Sequence, residues 1–246
     1  LKIYQKRMIA GIDFGITNTD IVIKNNGSLE YFSIKSEKSF LQNIELIFKK
    51  INFDINKIRT ICVTGGKSSD LPDKIKKITI KKINEIQAIG IGAKKLYGIN
   101  QKPFVVVSAG TGTACVYSNS KEFVHLGGIS VGGGTLLGLS KKILNKSDII
   151  EIENMAQRGN RQDLDTMIGE AVNSIGNLHN NVTASNLNKA VKNFDADDVN
   201  FAASINNMIG EVIGTIAYLN AMLMKLECVY FVGRVSLINS VKNGID

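Results

Sequence analysis

Several residue types that mark particular classes of protein are scarce in this chain. Among 246 residues there are only two Pro and three Cys, and no Trp, so neither a Pro-rich linker nor a disulfide framework is expected. Cys62, Cys115 and Cys228 are too far apart to suggest a zinc site, and each lies in an apolar run. We therefore predict three buried thiols in a reducing cytoplasm.

Long apolar stretches are also missing. No run of about 18 uninterrupted apolar residues occurs, so we expect no membrane span. The N-terminal residues lack the apolar core and small-residue cleavage site of a signal peptide, which favours a cytoplasmic protein over a secreted one. The chain does have 44% hydrophobic residues, enough at this length to bury a core without metals or disulfides.

The chain carries an excess of positive charge, with 30 Lys and Arg against 22 Asp and Glu, for a net charge of +8. Nucleic-acid binding is one explanation. The lysines are scattered, however, apart from the cluster KIKKITIKK at residues 74–82, and no aromatic residues interleave with that cluster. We therefore predict a solvated lysine face and no nucleic-acid partner; the charge is compatible with attraction of polyanionic small molecules.

Two segments of the chain resemble each other and suggest two similar lobes. IAGIDFGITNTDIVI (residues 9–23) and VVVSAGTGTACVY (residues 105–117) each place an apolar strand before a Gly/Thr turn and a second strand. We predict an α/β protein with lobes at residues 1–100 and 101–246. Apolar periodicity predicts strands at residues 8–14, 19–24, 29–34, 58–64, 104–108, 114–118 and 228–232, helices at 39–52 and 84–97, and mostly helix from 135 to 226.

Four glycine-containing turns are associated with the apolar strands. Glycine lets a backbone approach a ligand closely, and successive exposed amides form an anion-binding concavity. A helix beginning at Gly134 would point its positive end at the same anion, whereas Asp13 beside the first turn requires a cation such as Mg²⁺ between its carboxylate and a phosphate. Together the turns predict a polyphosphate site, although each alone is as well explained as a hairpin that needs glycine. The turns are residues 13–17, 109–113, 132–135 and 232–234.

Five segments, rather than a P-loop or a Rossmann glycine motif, indicate the function. They are GIDFGITNTDIVI, VVVSAGTGTACVY, HLGGISVGGGTLLGLS, NSIGNLHNN and CVYFVGRVSLIN. Their order and spacing resemble the type II pantothenate kinases, a family of the actin/hexokinase/Hsp70 superfamily of ATP-binding folds. The first two look like phosphate motifs, the third like the family's most distinctive segment, the fourth like a segment between two helices and the last like the adenosine-side strand and turn. The resemblance implies a two-lobed actin-like (ribonuclease H-like) ATPase fold, with mixed sheets flanked by helices.

The resemblance also implies an activity. The enzyme would hold ATP and Mg²⁺ in a cleft and phosphorylate the primary hydroxyl of pantothenate, the first step to coenzyme A, as a homodimer. The family's catalytic glutamate falls on Glu85, as general base, and Asp13 would organise Mg²⁺; from its own position Glu85 is equally an acid favoured at a helix start. The apolar helix at residues 205–226 is either a dimer interface or a core helix. The nucleotide contacts implied are Gly15, Ile16, Thr17, Gly110, Thr111, Gly112, Thr113, Gly132, Gly133, Gly134, Thr135 and Gly233.

Besides Ile16, which stands where the family's first motif usually has a second Gly, three positions depart from the family's usual residues. Asp20 stands where the family usually has Lys, Ala114 where it often has Ser, and His125 where many members have Arg. We expect His125 to take a catalytic or ligand-binding role as a hydrogen-bond donor whose charge depends on pH, the alternative being a structural histidine. Family members also usually continue for another helix beyond the adenosine turn, whereas this chain ends at Asp246.

Three other functions remain open on the residues alone. A sugar kinase of the same fold often carries a His/Cys zinc cluster, which this chain lacks. A non-kinase ATPase that activates acyl-CoA chemistry needs cysteines placed to bridge an iron–sulfur cluster, and the cysteines here lie in strand-like runs. A catalytically silent protein that binds a coenzyme A-type ligand is compatible with the three departures.

Overall fold

The computed structural model describes residues 8–173, 179–192 and 196–246. The chain divides into two compact units, Leu1–Ile91 and Gly92–Asp246, where the sequence placed a boundary at residue 100. Within the described residues, no helix combines the length and apolarity needed to cross a membrane.

Unit one is built on a six-stranded mixed sheet. Its strands are β1 (Met8–Phe14), β2 (Asn18–Asn25), β3 (Ser28–Lys35), β4 (Ile58–Thr64), β5 (Lys74–Ile75) and β6 (Ile78–Lys82). The spatial order is β3-β2-β1-β4-β6-β5. Because β1, β4 and β6 run parallel, their carboxyl ends share one edge of the sheet.

Alternation along β1 decides which side chains enter the core of unit one. Ala10, Ile12 and Phe14 are buried, while Asp13 lies on the opposite face. The buried face packs against α1 (Ser39–Gln42) and α2 (Glu45–Lys50). The largest side chains of that core are Ile12, Ile23, Phe40, Ile44, Ile47, Phe48 and Ile61.

Two details of unit one differ from the sequence prediction. The helix predicted at residues 39–52 is interrupted at Asn43, whose backbone is extended and whose Oδ1 accepts the amide of Glu45 at 3.1 Å; the side chain thus competes with the helical hydrogen bond. The lysine cluster forms the unpredicted hairpin β5–β6, in which Ile78 and Ile80 are buried and the lysines face outward.

Helix α3 (Glu85–Leu96) contains the division between the two units. Unit two has a four-stranded sheet of β7 (Phe104–Ala109), β8 (Thr113–Ser118), β9 (Phe123–Ile129) and β12 (Val229–Val232), in the order β12-β7-β8-β9. A separate two-stranded pair joins β10 (Thr166–Met167) to β11 (Thr183–Ser185). The helices are α4 (Gly133–Ile143), α5 (Ile149–Ala156), α6 (Ile168–Ala171), α7 (Asp198–Met224) and α8 (Asn239–Ile245).

The prediction of mostly helix from residue 135 to residue 226 is correct for α4, α5 and α7 and wrong for much of the segment between α5 and α7. That segment is held by polar side chains rather than by an apolar helix face. Asp165 is fully buried and accepts the amide of Leu187 at 2.9 Å, and Arg161 donates to Thr183 Oγ1 at 2.7 Å. Strand β9 also went unpredicted.

The cysteines differ from the expectation of three buried thiols. Cys115 is buried, Cys62 is half-buried and Cys228 is exposed. Burial raises the pKa of the Cys115 thiol. Cys228 is exposed because it lies in the turn before β12, one residue outside the sheet.

Candidate active site

The Asp13 carboxylate lies at the carboxyl end of β1. In the sheet Asp13 is paired with Asp20 on one side and with Thr64 on the other. Its side chain reaches solvent, yet partial desolvation, followed by the negative charges of Glu85 and Asp20, raises its pKa to about 6. A cation bound at Asp13 would offset the negative charges that act on this carboxylate.

Glu85 is brought to the same edge by the connection that follows β6. The amide of Ile83 donates to the carbonyl of Val63 at 2.8 Å, which ties this connection to the end of β4. Asn84 Oδ1 then accepts the amide of Ile86 at 2.9 Å and caps the first turn of α3. Glu85 is the first residue of that helix and is exposed, so its carboxylate is available to a ligand.

The first glycine turn connects β1 to β2 and is held from the end of β3. Ser36 Oγ donates to the carbonyl of Gly15 at 2.6 Å, and the Ser36 amide donates to the carbonyl of Thr17 at 3.0 Å. A Cβ atom on Gly15 would lie 2.6 Å from the carbonyl oxygen of Asn18, so only glycine fits. Ile16 is 82% exposed at the tip and adds an apolar side chain, not a polar donor.

In unit two, the turn between β7 and β8 is joined to the start of α4. The amides of Gly133 and Gly134 donate to the carbonyls of Gly110 and Thr111, at 2.8 and 2.9 Å. A Cβ atom on Gly132 would lie 2.8 Å from the Thr111 oxygen. Two of the first amides of α4 thus hold the two turns together, and anion binding at the start of this helix stays a prediction.

Two threonine hydroxyls of unit two also support the backbone. Thr113 Oγ1 donates to the carbonyl of Val131 at 2.8 Å, and Thr135 Oγ1 donates to that of Ser130 at 3.1 Å. At the end of β12, Gly233 has a φ of +93°, and a Cβ atom there would lie 2.3 Å from the carbonyl oxygen of Ala109. The turns after β7 and β12 and the start of α4 thus converge at one edge of the sheet.

The Fumble family model matches residues 93–242. The type II pantothenate kinase of Bacillus thuringiensis subsp. konkukian (strain 97-27) is 30% identical over 233 residues, which cover 91% of this chain and 81% of that protein. The chain belongs to the type II pantothenate kinase family. The Staphylococcus aureus (strain USA300) protein of the same name is 27% identical over 232 residues, covering 92% and 84%.

Solved structures agree on the fold. The activator of the 2-hydroxyisocaproyl-CoA dehydratase from Clostridium difficile, with bound ADPNP, aligns with a TM-score of 0.67 at 16% identity, covering 97% of this chain and 84% of that one. A ROK family protein from Streptococcus pneumoniae TIGR4, in complex with sucrose, aligns with a TM-score of 0.55 at 11% identity, covering 97% and 86%. The predicted actin-like ATPase fold is confirmed.

The positions that depart from the family's usual residues lie in the sheets of both units. Asp20 is paired with Asp13. Ala114 is paired with Ser108 and with Gly128, and His125 is exposed on β9, paired with Val116 beside a register shift. Within the described residues no group of three or more His, Cys, Asp or Glu side chains is placed to hold a metal ion. Of the family segment NSIGNLHNN, residues 174–178 lie outside the described residues.

One element of the site went unnoticed in the sequence. Gly65 and Gly66 directly follow Thr64, the last residue of β4, and have φ values of +75° and +47°. A Cβ atom on Gly65 would lie 2.4 Å from Asp13 Oδ1. The signal was present as a Gly-Gly pair at the end of a β-branched strand, the same pattern that singled out the other turns.

Proposed function

We propose that this member of the type II pantothenate kinase family transfers the γ-phosphoryl group of ATP to the primary hydroxyl of pantothenate, forming 4′-phosphopantothenate and ADP. The observation that carries the proposal is the position of two carboxylates at the carboxyl edge of the unit-one sheet: Asp13 lies at the end of β1, and Glu85 begins α3 just after the connection that is tied to the end of β4. Support comes also from the relatives, which are named type II pantothenate kinase at about 30% identity over most of the chain.

Glu85 acts as the general base in this proposal. As the hydroxyl oxygen of pantothenate forms its bond to the γ-phosphorus, its proton moves to the Glu85 carboxylate, and the bond from the γ-phosphorus to the ADP oxygen breaks. The exposed position of Glu85 at the start of α3 leaves the carboxylate available to the substrate. His125, exposed on β9, would donate a hydrogen bond to the substrate.

Asp13 is the residue we assign to Mg²⁺. The carboxylate fits the ion because Mg²⁺ takes oxygen ligands and is usually held by one or two carboxylates with water and phosphate. Partial burial, and after it the negative charges of Glu85 and Asp20, raise the pKa of Asp13, and a bound cation would offset both effects. Bound Mg²⁺ would neutralise phosphate charge; Asp13 itself contributes a fixed anionic oxygen.

We assign the glycine turns to ATP. ADPNP, an ATP analogue, is bound in the aligned Clostridium difficile activator. The tightly packed carbonyls and amides around Gly110 and Gly133 give unit two a rigid backbone surface on which a phosphate can approach closely. The residues proposed to contact the nucleotide are Gly15, Ile16, Thr17, Gly110, Thr111, Gly112, Thr113, Gly132, Gly133, Gly134, Thr135 and Gly233.

We also propose a homodimer formed through α7. One face of this 27-residue helix is buried in unit two, but near its C-terminal end Tyr218, Leu219, Met222 and Leu223 are 53–69% exposed. Four large apolar side chains at helical spacing form a contiguous exposed strip. A second copy of the chain would cover it.

The proposed reaction is tested with the purified chain, ATP, Mg²⁺ and pantothenate. We expect ADP release that depends on pantothenate, and a product heavier than pantothenate by one phosphoryl group in mass spectrometry. ADP release only with a hexose would favour the sugar kinase, and ADP release without any acceptor would favour the non-kinase ATPase. Nucleotide binding with no turnover on any acceptor would favour the silent binding protein.

A further inference from the structure

The turn after β4 is packed directly against the Asp13 side chain. Parallel pairing sets Thr64 beside Asp13, so both side chains lie on the same face of the sheet. A Cβ atom at Gly65 would lie 2.4 Å from Asp13 Oδ1 and 3.0 Å from the carbonyl oxygen of Phe14. Real Cβ atoms do not approach oxygen so closely, so any side chain at position 65 displaces the carboxylate or the backbone.

Two further observations mark this turn as part of the site. Thr64 Oγ1 is buried and has no hydrogen-bond partner within the described residues, although a buried hydroxyl normally has one. The turn itself is closed by the Ser68 amide, which donates to the carbonyl of Gly65 at 3.1 Å. The Thr64 hydroxyl is therefore available for a hydrogen bond next to Asp13, and the backbone that carries it is held in place by the closed turn.

We propose that Gly65 is a positioning residue for phosphoryl transfer: its lack of a side chain lets the β4 turn close on Asp13 and hold that carboxylate toward the cation that accompanies ATP, with the Thr64 hydroxyl beside it. The inference rests on the proposed function, because it gives Asp13 its role. A purely conformational need for glycine does not account for the contact. Gly27, in the β2–β3 turn of the same unit, has a φ of +95° with nothing within 4 Å of its Cβ position.

Gly27 supplies the matched control for the first experiment. Gly65→Ala and Gly27→Ala place the same methyl group at a positive φ, but only the first meets Asp13. ADP affinity is measured by calorimetry with and without Mg²⁺. We expect Mg²⁺ to tighten ADP binding to the parent chain and to Gly27→Ala. In Gly65→Ala this gain in affinity should be at least tenfold smaller. Without Mg²⁺, the ADP affinity of Gly65→Ala should stay within about twofold of that of the parent chain.

The proposal is overturned if Mg²⁺ increases the ADP affinity of Gly65→Ala to within twofold of the increase seen in the parent chain, or if Mg²⁺ does not increase the ADP affinity of the parent chain. These binding measurements do not depend on pantothenate. Suppose that Mg²⁺ tightens ADP binding to the parent chain but the chain does not phosphorylate pantothenate. That result would refute the proposed acceptor, while the role of Gly65 could still be tested by the binding measurements.

A double-mutant cycle tests the contact without any ligand. Asp13→Ala removes the atom that a methyl group at position 65 would meet, so Gly65→Ala should lower the melting temperature less in the Asp13→Ala background than in the parent. An equal loss in both backgrounds overturns the proposal. If Gly65→Ala alone does not fold, a folded Asp13→Ala/Gly65→Ala chain supports it, and an unfolded double variant beside a folded Gly27→Ala chain refutes it.

Discussion

The amide of Gly133 donates to the carbonyl of Gly110 across 2.8 Å. This hydrogen bond, with its neighbour from Gly134 to Thr111, joins two glycine-rich segments that are more than twenty residues apart. Each segment thereby fixes the shape of the other. At the start of α4 the packing is tight, since a Cβ atom on Gly132, Gly133 or Gly134 would lie 2.8–3.0 Å from its nearest neighbour.

Substitutions in α4 test that packing. A Cβ atom on Gly134 would lie 2.9 Å from Thr111 Cγ2, whereas one on Gly138 has open space. We expect Gly134→Ala to displace Thr111, to cost about 1–3 kcal/mol of unfolding free energy and to raise the KM for ATP. Gly138→Ala in the same helix should stabilise by roughly 0.5–1 kcal/mol without changing that KM. Denaturant unfolding and ATP titrations check both, and equal behaviour of the two variants would contradict the packing argument.

Glu85→Gln tests the general base. The amide keeps the shape of the side chain but accepts no proton, so kcat with pantothenate should fall by about 10²–10⁴-fold, while ADP affinity changes by less than about threefold. Glu45→Gln is the control, since Glu45 is also in the first turn of a unit-one helix and forms only a surface ion pair, with Lys76 at 2.7 Å. Turnover retained in Glu85→Gln would remove Glu85 from the mechanism.

The raised pKa of Asp13 makes a prediction about pH. The folded-state pKa of about 6 lies above the ordinary value of 3.8 for an aspartate, so folding favours the protonated form and this group's contribution to stability falls as pH rises from about 4 to 6. Asp13→Asn should therefore be more stable than the parent above pH 6, by on the order of 1 kcal/mol after solvent screening. The control is Asp70→Asn, at an exposed residue, and thermal unfolding across pH 4–8 measures the difference. A pH-independent gap between parent and Asp13→Asn would show that the carboxylate is not perturbed.

The exposed strip on α7 predicts the state of assembly. Leu223 is 69% exposed, so Leu223→Glu should be tolerated by the fold but should place a charge in the proposed dimer interface. Sedimentation velocity should show the parent chain at roughly twice the 26.8 kDa protomer mass and the variant at the protomer mass. Ile150→Glu, at a site that is 68% exposed on α5, should leave the dimer intact. A parent chain that sediments as a protomer would refute the interface.

Local patterns in the sequence located much of the fold. The strands at Met8–Phe14 and Ile58–Thr64 were predicted with the bounds that the structure shows, because each is a run of mostly apolar or β-branched residues that a glycine directly follows. The hairpin in the lysine cluster was missed because five charged side chains concealed two buried isoleucines. The start of α3 was placed within one residue, since Asn84 is a conventional N-cap.

The sequence by itself determined which family the chain resembles, and it predicted which segments bind phosphate, because glycine spacing and strand periodicity are local properties. Only the tertiary structure decided what those glycines do. Gly65 is 52 positions from Asp13, yet parallel pairing of β1 with β4 puts it against the carboxylate. The first amides of α4 are taken by the β7–β8 turn. Contacts between residues far apart in the chain depend on strand order and register, which no local pattern encodes.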